Sequence, residues 1–205
     1  MSETVTPDGL TDTISQLKEA HADGIAEAHA ALQVAMSGHE GCLRTDEPLQ
    51  VDWADAVWAD FVDLLSHKNN HVRSIAGHML SNLSYSTDPV RVLRDFGELE
   101  AVTHDEKFVT ARHVLQSLWK VGLSAGKLRA RYLQSCRDRY GFCPSEKNAT
   151  LIRYDILVGM RSLFDITADV SLRELAGELI ALETDEKYRK KYAAAWRDAM
   201  QESAK

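Results

Sequence analysis

The sequence predicts an all-α protein in which about eight or nine helices stack as antiparallel pairs into an α-α superhelix. Three observations carry that expectation. Residues 71–83, HVRSIAGHMLSNL, and residues 171–183, SLRELAGELIALE, share an apolar–Arg–x–apolar–Ala–Gly string 100 residues apart. From residue 51 onward, apolar residues recur at spacings of three and four, the period of a helix buried on one face. Aromatics make up only 7 % of the chain and there are 4 prolines, a composition that suits helices better than a β-sandwich.

Residues 1–9 are polar and read as a disordered tail, leaving 10–205 as a single helical-repeat domain. Thr11 or Asp12 can cap a first helix over 10–36, whose stripe is Ile14, Leu17, Ile25, Ala28, Leu32 and Ala35. Gly24 weakens it locally, because glycine costs about 1 kcal/mol against alanine inside a helix. This helix is expected to cap the N-terminal end. SGHEGCLRTDEPLQ, residues 37–50, with two glycines and a proline, reads as a long loop.

The repeats are expected over 51–183. Residues 51–66 carry Val51, Ala54, Val57, Trp58, Phe61, Leu64 and Leu65 on one face. HKNN breaks that helix, and Asn70 can cap the next, 71–84, with Val72, Ile75, Ala76, Met79, Leu80 and Leu83. Asp88 followed by Pro89 is a helix-start signal for a stripe of Val90, Val92, Leu93, Phe96 and Leu99. Its partner runs from about 106 to 122, and Gly122 and Gly126 close it. A shift of 35 residues lays Ala76 on Ala111, Leu80 on Leu115 and Leu83 on Leu118. Helices follow at 127–141, 148–164 and 170–183. A shift of 80 lays Val72-Arg73 on Ile152-Arg153. A charged helix over 185–200, with Tyr188, Tyr192, Ala195 and Trp196 as its apolar face, is expected to cap the C-terminal end.

Second helices of pairs therefore start near 71, 106, 150 and 170, and the last step is half a repeat. Two frames result. The glycine-matched strings pair 148–164 directly with 170–183. The spacing from 106 instead makes 170–183 the opening of a new pair.

LLSHKNNHVRSIAGHMLSNL, residues 64–83, resembles a HEAT repeat: paired leucines, a short polar turn, then a second helix opening Val-Arg and continuing through Ala and Leu. Residues 163–183 are similar, with Leu172-Arg173 and Leu175-Ala176. The resemblance spans 51 to 200, with two clear copies and two degenerate ones. It implies an α-solenoid of the HEAT/armadillo kind with a concave, partner-binding face. In that family the turn usually carries an Asp that bonds the Arg of a neighbouring repeat. Here Asn69 and Asn70 occupy the first turn and Asp169 precedes the last copy, so the ladder is expected to be partial. Arg73 and Arg173 are read as matched structural residues.

Net charge is −7, but it is segmented. Residues 1–106 hold 19 acidic and 6 basic side chains; residues 107–161 hold 3 acidic and 11 basic. That basic segment can neutralise the acidic half across the fold, bind an acidic protein surface, or attract a phosphate backbone. Arg112, Gln116, Trp119, Lys120, Arg153 and Arg161 are the candidate binding residues. Core packing is the expected role of Trp58 and Trp119; an exposed Trp119 beside Arg112 and Lys120 would instead suit ring stacking.

Catalytic patterns are absent: no GxSxG, no Gly-rich phosphate loop, no HExxH and no CxxC. His67 and His71 are four apart, but a turn separates them, so they do not share a helix face. Cys136 and Cys143 read as a core thiol and a loop thiol; with Cys42 the count is odd, which fits a reduced, cytoplasmic setting. No apolar run approaches the roughly 18 residues of a membrane span. The expected function is a non-catalytic scaffold without a cofactor, binding a protein partner through its concave face and basic centre. The alternative is nucleic-acid or polyanion binding through 107–161, as in HEAT-like alkylpurine DNA glycosylases, an analogy that Trp119 and Asp155 permit without a matched motif.

Overall fold

The computed structural model describes residues 9–19, 22–37, 50–124 and 126–201. Among these every regular element is a helix. All of the expected tail 1–9 but Gly9, most of the loop 37–50 and Cys42 lie outside the described residues. Eleven α-helices follow in order: α1 (Leu10–Glu19), α2 (Ala22–Ser37), α3 (Ala54–Leu64), α4 (Asn70–Leu83), α5 (Pro89–Ala101), α6 (Phe108–Ser117), α7 (Lys127–Phe142), α8 (Ala149–Thr167), α9 (Val170–Ala181), α10 (Glu186–Ala195) and α11 (Arg197–Gln201).

The eight or nine helices read from the sequence become eleven because both ends are subdivided. The expected capping helix 10–36 is two helices packed on each other, α1 and α2. Its apolar stripe has no member between Leu17 and Ile25, the stretch in which α1 ends and α2 begins. The C-terminal helix breaks at Trp196, whose indole is fully buried and donates from Nε1 to the Leu157 carbonyl at 2.9 Å. The helix expected to run to 122 tightens to 3₁₀ geometry over Leu118–Leu123.

Helix starts follow the local chemistry. The Asp88 carboxylate accepts from the Val90 amide at 2.9 Å with Pro89 in the first turn. Asn69, one residue before the expected cap, accepts from the His71 amide at 2.9 Å. Asp169 and Asp185 cap α9 and α10 in the same way. In α5 the stripe is narrower than expected. Val92, Phe96 and Leu99 are buried, while Val90 and Leu93 face outward.

The helices form two rows. α1, α3, α5, α7 and α9 pack each on the next in one row; α2, α4, α6, α8 and α10 do so in the other. The even row carries the densest packing, α4 against α6 above all. A Cβ built on Gly77 would lie 2.4 Å from Val114 Cγ2, so any larger residue would force Val114 or α4 to shift from this approach to α6. Gly122 likewise admits Leu163 Cδ2, at 2.4 Å from a built Cβ.

α9 packs on α8 as well as on α7, and α10 packs on both α8 and α9. By row the matched strings lie apart, α4 in the even and α9 in the odd. An amphipathic helix of either row needs the same apolar period.

Arg73 has a true counterpart, but it is Arg153. Arg73 donates from Nε and Nη2 to both oxygens of Asp105 at 2.6 and 2.9 Å, and from Nη1 to the His67 carbonyl at 2.8 Å. Arg153 Nη1 donates to Glu183 at 2.8 Å. Each joins the start of an even helix to the turn of the following pair. Burial pushes the Asp105 carboxyl up, but the Arg73 hydrogen bonds, the Lys107 amide and the two cations together hold it below the usual carboxylate range. Arg173 enters no ion pair among the described residues; its guanidinium lies 6.0 Å from the Phe164 ring.

Candidate functional site

The six candidate residues fall on α6, its 3₁₀ extension and α8, and the structure gathers only some of them. α6 exposes a stripe of Val109, Arg112, His113 and Gln116, one helical turn apart. Arg112 and Gln116 converge on Asp155 of α8. Arg112 donates from Nε and Nη2 at 2.6 and 3.2 Å, and Gln116 from Nε2 at 3.1 Å. Asp155 is 4 % exposed, so this carboxylate is a buried hub joining α6 to α8. Its hydrogen bond and charge raise the Arg112 guanidinium further above its ordinary value.

Trp119 and Lys120 are not surface groups. They sit in the 3₁₀ segment after α6 with 3 % and 4 % exposure. The tight geometry turns both inward, so ring stacking on an external base is not open to Trp119. Lys120 Nζ donates to Asn82 Oδ1 at 2.6 Å and lies 5.7 Å from the Trp119 ring. Arg153 points away from the Arg112 stripe, toward Glu183, and covers the Tyr140 ring at 4.5 Å. Arg161 bonds Asp165 at 2.6 Å and the Ala195 carbonyl at 3.0 Å, tying α8 to α10.

A polar seam between α4 and α6 lies beside the Arg112 stripe. Ser74 Oγ and His113 Nδ1 are 3.1 Å apart, and His78 Nε2 lies 2.8 Å from the His113 carbonyl oxygen. The two imidazole rings are 5.6 Å apart. Asn82 donates to the His78 carbonyl at 2.8 Å, and Ser117 donates to Ser81 Oγ at 3.2 Å. A signal for this seam existed in the sequence. The shift of 35 that lays Leu80 on Leu115 also lays His78 on His113.

Most of the rest of the basic segment is engaged with carboxylates, Lys127 and Lys147 excepted among the described residues. Among the described residues Lys107, Arg112, Arg129, Arg131, Arg137, Arg139, Arg153 and Arg161 each hold an ion pair. Arg131 reaches back to Glu100 of the acidic half, and Arg139 binds Glu146 and the Thr103 carbonyl. Arg129, Arg137 and Arg153 reach forward to Asp169, Glu178 and Glu183. The segment is thus neutralised mainly by its neighbours in the stack.

Both described cysteines are buried: Cys143, expected in a loop, is fully enclosed, and burial pushes the Cys136 thiol up to about 12. Such thiols are poor nucleophiles at neutral pH. Among the described residues no group of three or more His, Cys, Asp or Glu side chains is arranged to hold a metal ion. No helix among them is long and apolar enough to cross a membrane. No protein-family model matches the chain, and no curated protein is significantly similar to it.

Proposed function

We propose that the chain is a non-catalytic helical-repeat scaffold of the HEAT-like kind that holds a protein partner on the exposed stripe of its even row. One observation carries this reading: every guanidinium of the basic segment holds a carboxylate, five of the seven on another helix or the turn beside it. What remains exposed on α6 and α8 is mixed in character. Val109 is 61 % and Val158 38 % exposed, and they lie on the same helices as Gln116 and the neutralised Arg112. Protein interfaces are built from such mixed surface, with aromatic, aliphatic and Arg groups among polar ones. A phosphate backbone calls for several cations free to release counterions, and the ion-pairing weighs against that alternative. The row-by-row packing and the Arg73–Asp105 and Arg153–Glu183 links support the HEAT-like assignment.

The test is a binding comparison. Proteins retained by the tagged native chain are identified, purified and titrated against the native chain and a Val109→Glu/Val158→Glu variant. The reading expects affinity to fall about tenfold or more in the variant, because two charges enter the apolar part of the contact. Equal affinity for both chains overturns it. A duplex shifted at low salt and released as salt rises would instead favour the polyanion reading.

A further inference from the structure

We propose that the groove at the C-terminal end of the two rows, between α9 and α10–α11, docks an acidic amphipathic helix of a partner protein. This site is separate from the even-row stripe and does not depend on that reading.

Within each row the flank of one helix is covered by the next. α10 has no following helix of its row among the described residues, and α9 is followed only by five-residue α11, whose Met200 lies beside Gly177. Between α9 and α10–α11 lies an open groove of about 600 Å³. Its apolar surface comes from Gly177, Ile180, Ala193 and Met200, and its two charged residues, Lys190 and Arg197, are both cations. A Cβ built on Gly177 would meet only Met200 Cε, at 3.7 Å, so there is room over α9 that α6 fills over Gly77.

Charge defines the occupant. Arg197 enters no ion pair among the described residues. Nor does Arg173, which stands one turn before Gly177 on the same side of α9. Arg173 leans over Phe164, whose ring is 5.6 Å from that of Trp196 in the groove wall. Lys190 pairs only with Glu186, and both side chains are more than two-thirds exposed, so the pair yields readily to another carboxylate. No acidic side chain lines the groove. Small residues at its base admit a closely approaching backbone, and ten-residue α10 offers about 15 Å of wall, close to three helical turns. The complementary ligand is a helix with apolar anchors on one face and Asp or Glu at its flanks.

Fluorescence anisotropy with the full chain tests this. The probe is a fluorescein-labelled helical peptide of about four turns, with Leu along one face and Glu at the flanks; its twin carries Lys for Glu. The Glu peptide is expected to saturate, and to bind about tenfold or more tighter than its twin at low salt. Gly177→Leu fills the groove and should weaken the Glu peptide by a similar factor. Lys190→Glu/Arg197→Glu should reverse the preference between the twins. Circular dichroism melting establishes that the variants are folded. Val109→Glu/Val158→Glu should leave peptide binding unchanged, which separates this site from the even-row stripe. Absence of saturable binding, equal affinity for the twins, or an inert Gly177→Leu overturns the proposal. Sedimentation that shows self-association abolished by Gly177→Leu also overturns it, by assigning the groove to a second copy of the chain.

Discussion

α4 and α9 carry nearly the same string and live in different surroundings. α4 is central in the even row and buried from Ser74 to Leu83 without interruption, serines, histidine and asparagine included. α9, followed in the odd row only by short α11, buries only Leu172, Leu175, Ala176 and Leu179. Gly77 is pressed by Val114, whereas a Cβ on Gly177 would make only ordinary contact with Met200 Cε. Arg73 is locked in a two-oxygen pair with Asp105; Arg173 rests on a ring without a carboxylate. The lesson is that a repeat string specifies an amphipathic helix, and its neighbours decide whether each residue is structural.

The sharpest way to break that contrast is to remove both arginines in turn. Arg73→Ala leaves Asp105, 5 % exposed in its side chain, charged and buried without its partner. It should lower unfolding free energy by about 3 kcal/mol, the lower end for breaking a buried pair. Arg173→Ala should change it by less than about 0.5 kcal/mol. Urea denaturation measures both, and equal losses would refute the difference drawn between the two copies.

The glycines should move in opposite directions. Gly77→Ala forces Val114 or α4 to shift and should cost about 1–2 kcal/mol, overpacking set against a helix-propensity gain. Gly177→Ala meets no obstruction and should stabilise by up to about 1 kcal/mol. A stabilised Gly77→Ala variant would show that α4 and α6 do not approach as described.

Acid titration probes the Arg73 link from the other partner. The folded-state Asp105 carboxyl lies below its unfolded value. Its contribution is therefore complete above the unfolded pKa, about 3.9, and is lost as pH falls through the folded value. Stability of the native chain should decline across that window. In Arg73→Ala this part of the decline should disappear, because burial then favours the protonated acid. Denaturation curves at successive pH values below neutrality decide it.

The smallest effect belongs to the entry into α9. Ala168 closes α8 in the left-handed region at φ 50°, a conformation glycine adopts more readily. Ala168→Gly should stabilise by about 0.5–1 kcal/mol. A loss would show that the Ala168 side chain contributes packing at the α8–α9 corner.

Much of the fold was legible. The three-to-four spacing located most helices, and Asp88-Pro89 marked a start through local hydrogen bonding alone. The division into α1 and α2 was harder to read, because the stripe residues on either side of it stay in phase. The candidate site was less legible. Arg112 and Gln116 do come together, but on the buried Asp155. Trp119 packs in the core, the first of the two roles its sequence allowed, and Lys120, offered as a binding residue, is carried inside with it by the 3₁₀ turn. His78 and His113 were visible as equivalents under the same shift that aligned the leucines. Nothing local said that those positions face each other.

By itself the sequence determined that this chain is all-helical, because period, caps and breaks act within a few residues of where they are written. It also placed the excess of positive charge in the middle third. Only the tertiary structure decided which row each helix joins, which arginines are consumed and which stay open at the C-terminal groove. Those outcomes depend on contacts between residues some 30 to 40 positions apart, such as Arg73 with Asp105 and Arg112 with Asp155. An amphipathic stripe records that a helix is buried on one face and leaves the identity of the covering helix unstated.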